Sequence, residues 1–150
     1  MKDARTVFMK KAIAQAKRAA KEGEVPVGAV IVKDGMVIAR GRNRRETSKN
    51  ALSHAEIEAI GRACKKLSGW RLFGCDLYVT LEPCPMCAAA IAHARLRRLY
   101  FGAYDPKGGG VEHGARVFER STCHHRPEVV GGLYELEAAE ILRDFFRQRR

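Results

Sequence analysis

Between residues 25 and 43 the chain reads VPVGAVIVKDGMVIARGRN, two Val/Ile-rich runs flanking Asp34-Gly35. An Asp-Gly pair between such runs is the strongest short-range signal for a β-hairpin, because a tight two-residue turn asks both residues for positive φ. Two adjacent antiparallel strands are thereby expected near the start of the chain, and the remaining elements have to be arranged around them. Upstream, Met9, Ile13, Ala16 and Ala20 recur at helical spacing and the stripe stops at Gly23. Downstream, HAEIEAIGRACKKL (54–67) reads as a helix, with Ser53 as its N-cap, Glu56 as the capping-box partner and an end near Ser68-Gly69.

CDLYVT (75–80) reads as a strand. Pro83 and Pro85 bracket Cys84, and a proline there suits the first turn of a helix through CAAAIAHA (87–94). RRLYFGAY (97–104) is another strand and DPKGGGVEHG (105–114) a glycine-rich loop. ARVFER (115–120) reads as a helical turn, CHHRPEVV (123–130) as a loop leading to a short extended piece, and LYELEAAEILRDFFRQRR (133–150) as a final helix with Phe145 and Phe146 in the core. Helices alternating with strands in this order predict a three-layer α/β domain, a central mixed sheet covered by helices. The 150 residues fit one domain, 1–150, without repeat or linker.

The net charge is +11, which favours acidic ligands and nucleic acid above all, since neutralising phosphates releases counterions. No apolar run approaches membrane-spanning length. The N-terminal stretch is interrupted by charge every few residues, unlike a signal peptide, so the cytoplasm is the expected location. Five cysteines, of which only Cys84 and Cys87 are close in sequence, argue for reduced thiols over a disulfide framework.

Cys84-x-x-Cys87 by itself is compatible with a redox pair, a structural metal site or a catalytic one. His54-Ala55-Glu56, which precedes Pro83-Cys84-Pro85-Met86-Cys87 by 26 intervening residues, favours the last. One imidazole and two thiolates make three protein ligands, and a zinc ion with three protein ligands keeps a fourth position for water. The pattern matches the H-x-E…P-C-x-x-C signature of zinc deaminases. Thiols at a helix N-terminus ionise readily, because unsatisfied N–H groups and the helix dipole favour the thiolate. Glu56, two residues past His54, points to a different side of the helix and is the candidate proton shuttle. A closed structural site would need a fourth ligand from Cys64, Cys75, Cys123, His93, His113, His124 or His125, none of which has ligand-like spacing to the pair.

With these motifs in hand, the chain resembles the bacterial tRNA-specific adenosine deaminases of the cytidine-deaminase-like superfamily. VPVGAV (25–30), Asn43, HAEIEAI, LYVTLEPCPMC, Phe101-Gly102-Ala103 and DFFRQRR occur in that family's order and cover essentially the whole chain. The resemblance implies a five-stranded α/β/α fold and one Zn2+ per subunit of a homodimer. It also implies hydrolytic conversion of the wobble adenosine of a tRNA anticodon, an arginine tRNA in most bacteria, to inosine. On that reading His54, Cys84 and Cys87 hold the metal, a zinc-bound hydroxide is the nucleophile, and Glu56 moves the protons. Asn43 would hold the splayed-out base, with Ala29 beside the glutamate and Val27, Ala55 and Asp105 around them. Lys107, Arg147 and Arg149 would contact the RNA.

Three stretches depart from the family pattern: Asn50-Ala51-Leu52-Ser53 ahead of the HAE motif, the triple glycine Gly108-Gly109-Gly110, and His124. Two rival readings keep the metal. A deaminase of free bases or nucleosides, of guanine or cytosine type, has no use for an arginine-rich last helix. A non-catalytic, zinc-stabilised RNA-binding module has no use for Glu56.

Overall fold

A computed structural model describes residues 3–149. Helix α1 (Ala4–Lys21) leads into the hairpin β1 (Gly28–Lys33) and β2 (Met36–Arg42). Asp34 and Gly35 both have positive φ, 50° and 75°, as the sequence requires of this turn. A short helix α2 (Arg45–Ser48), α3 (Ala55–Leu67), β3 (Cys75–Leu81), α4 (Pro85–His93) and β4 (Arg98–Ala103) follow. A 3-10 turn (Val117–Glu119), β5 (Glu128–Val130) and α5 (Glu135–Arg147) complete the chain.

The five strands lie in the order β2-β1-β3-β4-β5. The pairs β2/β1 and β1/β3 are antiparallel, while β3/β4 and β4/β5 are parallel, so the sheet is mixed as expected. Side chains alternate between two buried faces. Val30, Val32, Tyr78 and Tyr100 pack with Met9, Ala12 and Ile13 of α1 and with Ile141 of α5. Ala29, Ile31, Leu77, Val79, Leu99 and Phe101 pack with Ala55, Ala59 and Ala63 of α3 and with Ala88, Ile91 and Ala92 of α4. The three layers follow from this period of two against two helical stripes.

Glycine sets how closely two helices approach the hairpin. A Cβ on Gly28 would run into the backbone of α1 at Ala12 and Ala16, and one on Gly41 would run into α3 at Ala55 and Ala59. Neither contact involves a flexible side chain that can swing aside. Gly28→Ala is therefore expected to lower unfolding free energy by about 3 kcal/mol, the upper range for overpacking. Urea denaturation checks this, and an unchanged midpoint would show that α1 has room to shift.

Three local expectations change. The N-cap of α3 is His54 and not Ser53. The Ser53 hydroxyl instead accepts from Ser48 Oγ at 3.0 Å, and Glu56 makes no capping box because it is buried beneath the helix end. The helix α2 was not anticipated: four residues carry no readable period, and it is held from outside by Glu24. Of the two phenylalanines assigned to the core, Phe145 is buried but Phe146 is 49% exposed.

Candidate active site

The first turns of α3 and α4 meet above the same sheet face. His54, the N-cap of α3, and Cys84, the N-cap of α4, stand beside Cys87 in the first turn of α4, where Pro85 starts the helix. One donor atom from each of these three residues lies within 4.8 Å of the other two. His54 Nδ1 is 3.6 Å from Cys84 Sγ and 3.5 Å from Cys87 Sγ. A zinc ion about 2.3 Å from sulfur and about 2.0–2.1 Å from nitrogen, at tetrahedral angles, separates the two donors by about 3.6 Å. The donor set fits that ion without rearrangement.

No other His, Cys, Asp or Glu among the described residues joins the group. The scattered candidates for a fourth ligand are engaged elsewhere. His113 bonds Glu82, His125 bonds the carbonyl of Leu96, and the thiols of Cys64, Cys75 and Cys123 turn to backbone carbonyls. His93 and His124 line a separate cavity with Ala89 and Ala92 of α4. The arrangement is a tripod with an open side.

The two sulfurs are pushed in opposite directions in acidity. The hydrogen bond from Cys87, helped by His54, holds the Cys84 thiol down at about 4, while the same bond and burial push Cys87 up. Contact with Cys84 raises the His54 imidazole. Glu56 is 4% exposed, and burial lifts its carboxyl to about 7. A carboxyl poised there can both take and return a proton near neutral pH.

The open side faces a pocket of about 240 Å³, smaller than the ~300–1,000 Å³ typical of drug-sized ligands and so suited to a base-sized group. Val27, Asn43, Ala55 and Asp105, named from sequence, line it together with His54, Glu56 and Cys84. Asn43 is buried and fixed at both ends of its amide: Nδ2 donates to the Val25 carbonyl at 3.3 Å, and Oδ1 accepts from the Arg45 amide at 3.2 Å.

Ala29 does not line the pocket. It lies fully buried on β1 in the core under α3. Lys107 is exposed in the loop next to pocket-lining Gly108. Neither Arg147 nor Arg149 lines the pocket. Arg147 pairs with Asp144 at 3.3 Å on α5, and the Arg149 guanidinium lies 3.6 Å over the Phe145 ring. Sequence reading missed Val25, Arg45, Leu81, Glu82 and Gly108, which also line the pocket. Arg45 sits two residues beyond Asn43, and Glu82 sits inside the LEPCPMC motif, so proximity to named residues was the available signal.

A family model described as MafB19-like deaminase matches residues 3–150. A tRNA-specific adenosine deaminase of Agrobacterium fabrum is 58% identical over 146 residues, 97% of this chain and 96% of that protein. A solved structure from work on A-to-I editing by tRNA:A34 deaminases at the wobble position of transfer RNA is 58% identical. It superposes with a TM-score of 0.90 over 91% of this chain and 99% of its own. A guanine deaminase structure from Bacillus subtilis is 44% identical but covers only 65% of this chain and 63% of its own, with a TM-score of 0.63. Near-complete coverage at more than half identity, on top of a deaminase-type donor set, makes this chain a member of the tRNA-specific adenosine deaminase family.

Proposed function

We propose that the protein deaminates adenosine to inosine at the wobble position of a tRNA anticodon, an arginine tRNA being the first candidate. The observation that carries this reading is the open three-donor group of His54, Cys84 and Cys87 facing a base-sized pocket that also holds Glu56. The near full-length likeness to tRNA-acting relatives supports RNA over a free base.

His54, Cys84 and Cys87 would hold a zinc ion, which would supply water acidified toward neutral pH. Glu56 accepts a proton from the attacking water as its oxygen adds to carbon 6 of the adenine, and delivers it to ring nitrogen 1. It then takes the remaining proton of the hydroxyl added at carbon 6 and passes it to the exocyclic nitrogen, which leaves as ammonia while the carbon–oxygen bond becomes the carbonyl of inosine. Asn43, locked by Val25 and Arg45, holds the base, and Val27 and Ala55 give it apolar walls. The target nucleotide has to be splayed out of the anticodon loop to enter. The decisive experiment incubates the protein with total tRNA and maps inosine, with free adenosine, guanine and cytosine in parallel. Wobble inosine without free-base turnover is expected, and turnover of free guanine with unmodified tRNA would replace this reading.

Lys107, Arg147 and Arg149 contact RNA phosphates in this proposal. No helix among the described residues is long and apolar enough to cross a membrane, and the cytoplasm, where tRNA is, is the proposed location. A homodimer is proposed as well, as the family resemblance implies. Truncating α5 is a poor test of RNA contact because it removes buried Phe145. Arg147→Ala is cleaner. It should weaken binding of an anticodon stem-loop at every sequence and reduce the slope of log affinity against log salt by about 1. An unchanged slope would free Arg147 from any phosphate role.

A further inference from the structure

Glu82 directly follows β3, two residues before Cys84, and its side chain is fully buried. Its two oxygens collect the loop that follows β4. Oε1 accepts from the Asp105 amide at 3.0 Å and contacts the His113 ring nitrogen Nδ1 at 2.8 Å. Oε2 accepts from three consecutive amides, Val111 at 3.2 Å, Glu112 at 2.9 Å and His113 at 3.1 Å. Successive amides converging on one oxygen form the kind of concavity that elsewhere takes a phosphate. Here the occupant is the chain's own carboxylate. Burial alone would raise that carboxyl, but the Asp105 amide, the His113 ring and the amides of Glu112 and Val111 outweigh it and hold it below the ordinary range.

Two of the three consecutive glycines have their reason here. A Cβ on Gly109 would enter the Glu82 carboxylate, and one on Gly110 would lie 2.6 Å from the Pro85 nitrogen. The Gly110 amide donates to the Pro83 carbonyl at 2.8 Å, next to Cys84. The loop is thus wound around Glu82 and pressed onto the segment carrying the metal donor, and its Asp105 and Gly108 form one pocket wall.

We infer that Glu82 is a positioning residue for substrate: it fixes the loop 105–113 as a pocket wall at set distance from the metal donors, without touching the reacting atoms. This deepens the proposed deaminase reading and rests on it for the substrate. The test compares wild-type protein with Glu82→Gln and, from the loop side, Gly109→Ala. Glutamine keeps the shape but turns an NH2 group toward amide donors. Amide hydrogen exchange in 105–113 of the zinc-loaded protein should accelerate at least about tenfold in Glu82→Gln. KM for an anticodon stem-loop should rise about tenfold while kcat and zinc content change less than about threefold. Unchanged exchange in the loop, or a fall in kcat at unchanged KM, would overturn the inference. Should Glu82→Gln not fold, Gly109→Ala decides by the same readouts. If the wild type deaminates no RNA, the proposed substrate falls while the exchange result still judges the clasp.

Discussion

Glu56→Gln is expected to give a folded protein that binds zinc and anticodon RNA but releases ammonia about 10³-fold more slowly. The side chain is buried and lines the pocket, and burial raises its carboxyl above the ordinary range, which places a proton acceptor in a water-poor site. Glutamine conserves volume and hydrogen-bonding reach but cannot accept a proton. The loss should therefore fall on kcat, with KM for RNA nearly unchanged. Single-turnover inosine formation, zinc analysis and RNA binding are the three measurements. Activity within about tenfold of wild type would remove Glu56 from the chemistry and require another group to move the protons.

Cys87→Ala should abolish stoichiometric zinc as well as activity. Cys87 is fully buried beside Cys84 and His54, and two remaining donors do not make a site that competes for the ion. The folded chain also loses what the ion contributes by mass action, about 2.7 kcal/mol when zinc stands at a hundred times its dissociation constant. For a chain of this size that is a fall of roughly 5–10 °C in Tm. Wild-type protein stripped by a chelator should reach the same state and recover on adding zinc, whereas Cys87→Ala should not recover. Zinc bound one per chain in Cys87→Ala would mean that another side chain completes the donor set.

Most of the architecture was legible because each element advertised itself locally. Asp34-Gly35 allows little besides a tight hairpin turn, and the Met9/Ile13/Ala16 stripe forms a helix face that the sheet then buries. The metal donors were legible for a chemical reason: imidazole and paired thiols at helix N-termini are rare together unless an ion joins them. What escaped depended on contacts between distant segments. The helix α2 exists because Glu24 Oε2 takes the Thr47 amide and hydroxyl, both at 2.6 Å, across a separation of 23 residues. The role of Glu82 was hidden for the same reason, since its partners lie 23 to 31 residues away. Ala29 was expected beside the pocket, but the pleat of β1 turns it into the core beneath α3.

The imidazole of the metal tripod heads α3 and both sulfurs belong to α4, with strand β3 between them in the chain. A chain emerging from the ribosome has its hairpin and its first donor long before either thiol appears. The tripod thus joins segments on either side of β3, a strand held beside β1 by a non-local pairing of the slow-forming kind. Metal binding accordingly couples the first turns of α3 and α4 across β3, so removing the ion is expected to loosen the two helix ends together.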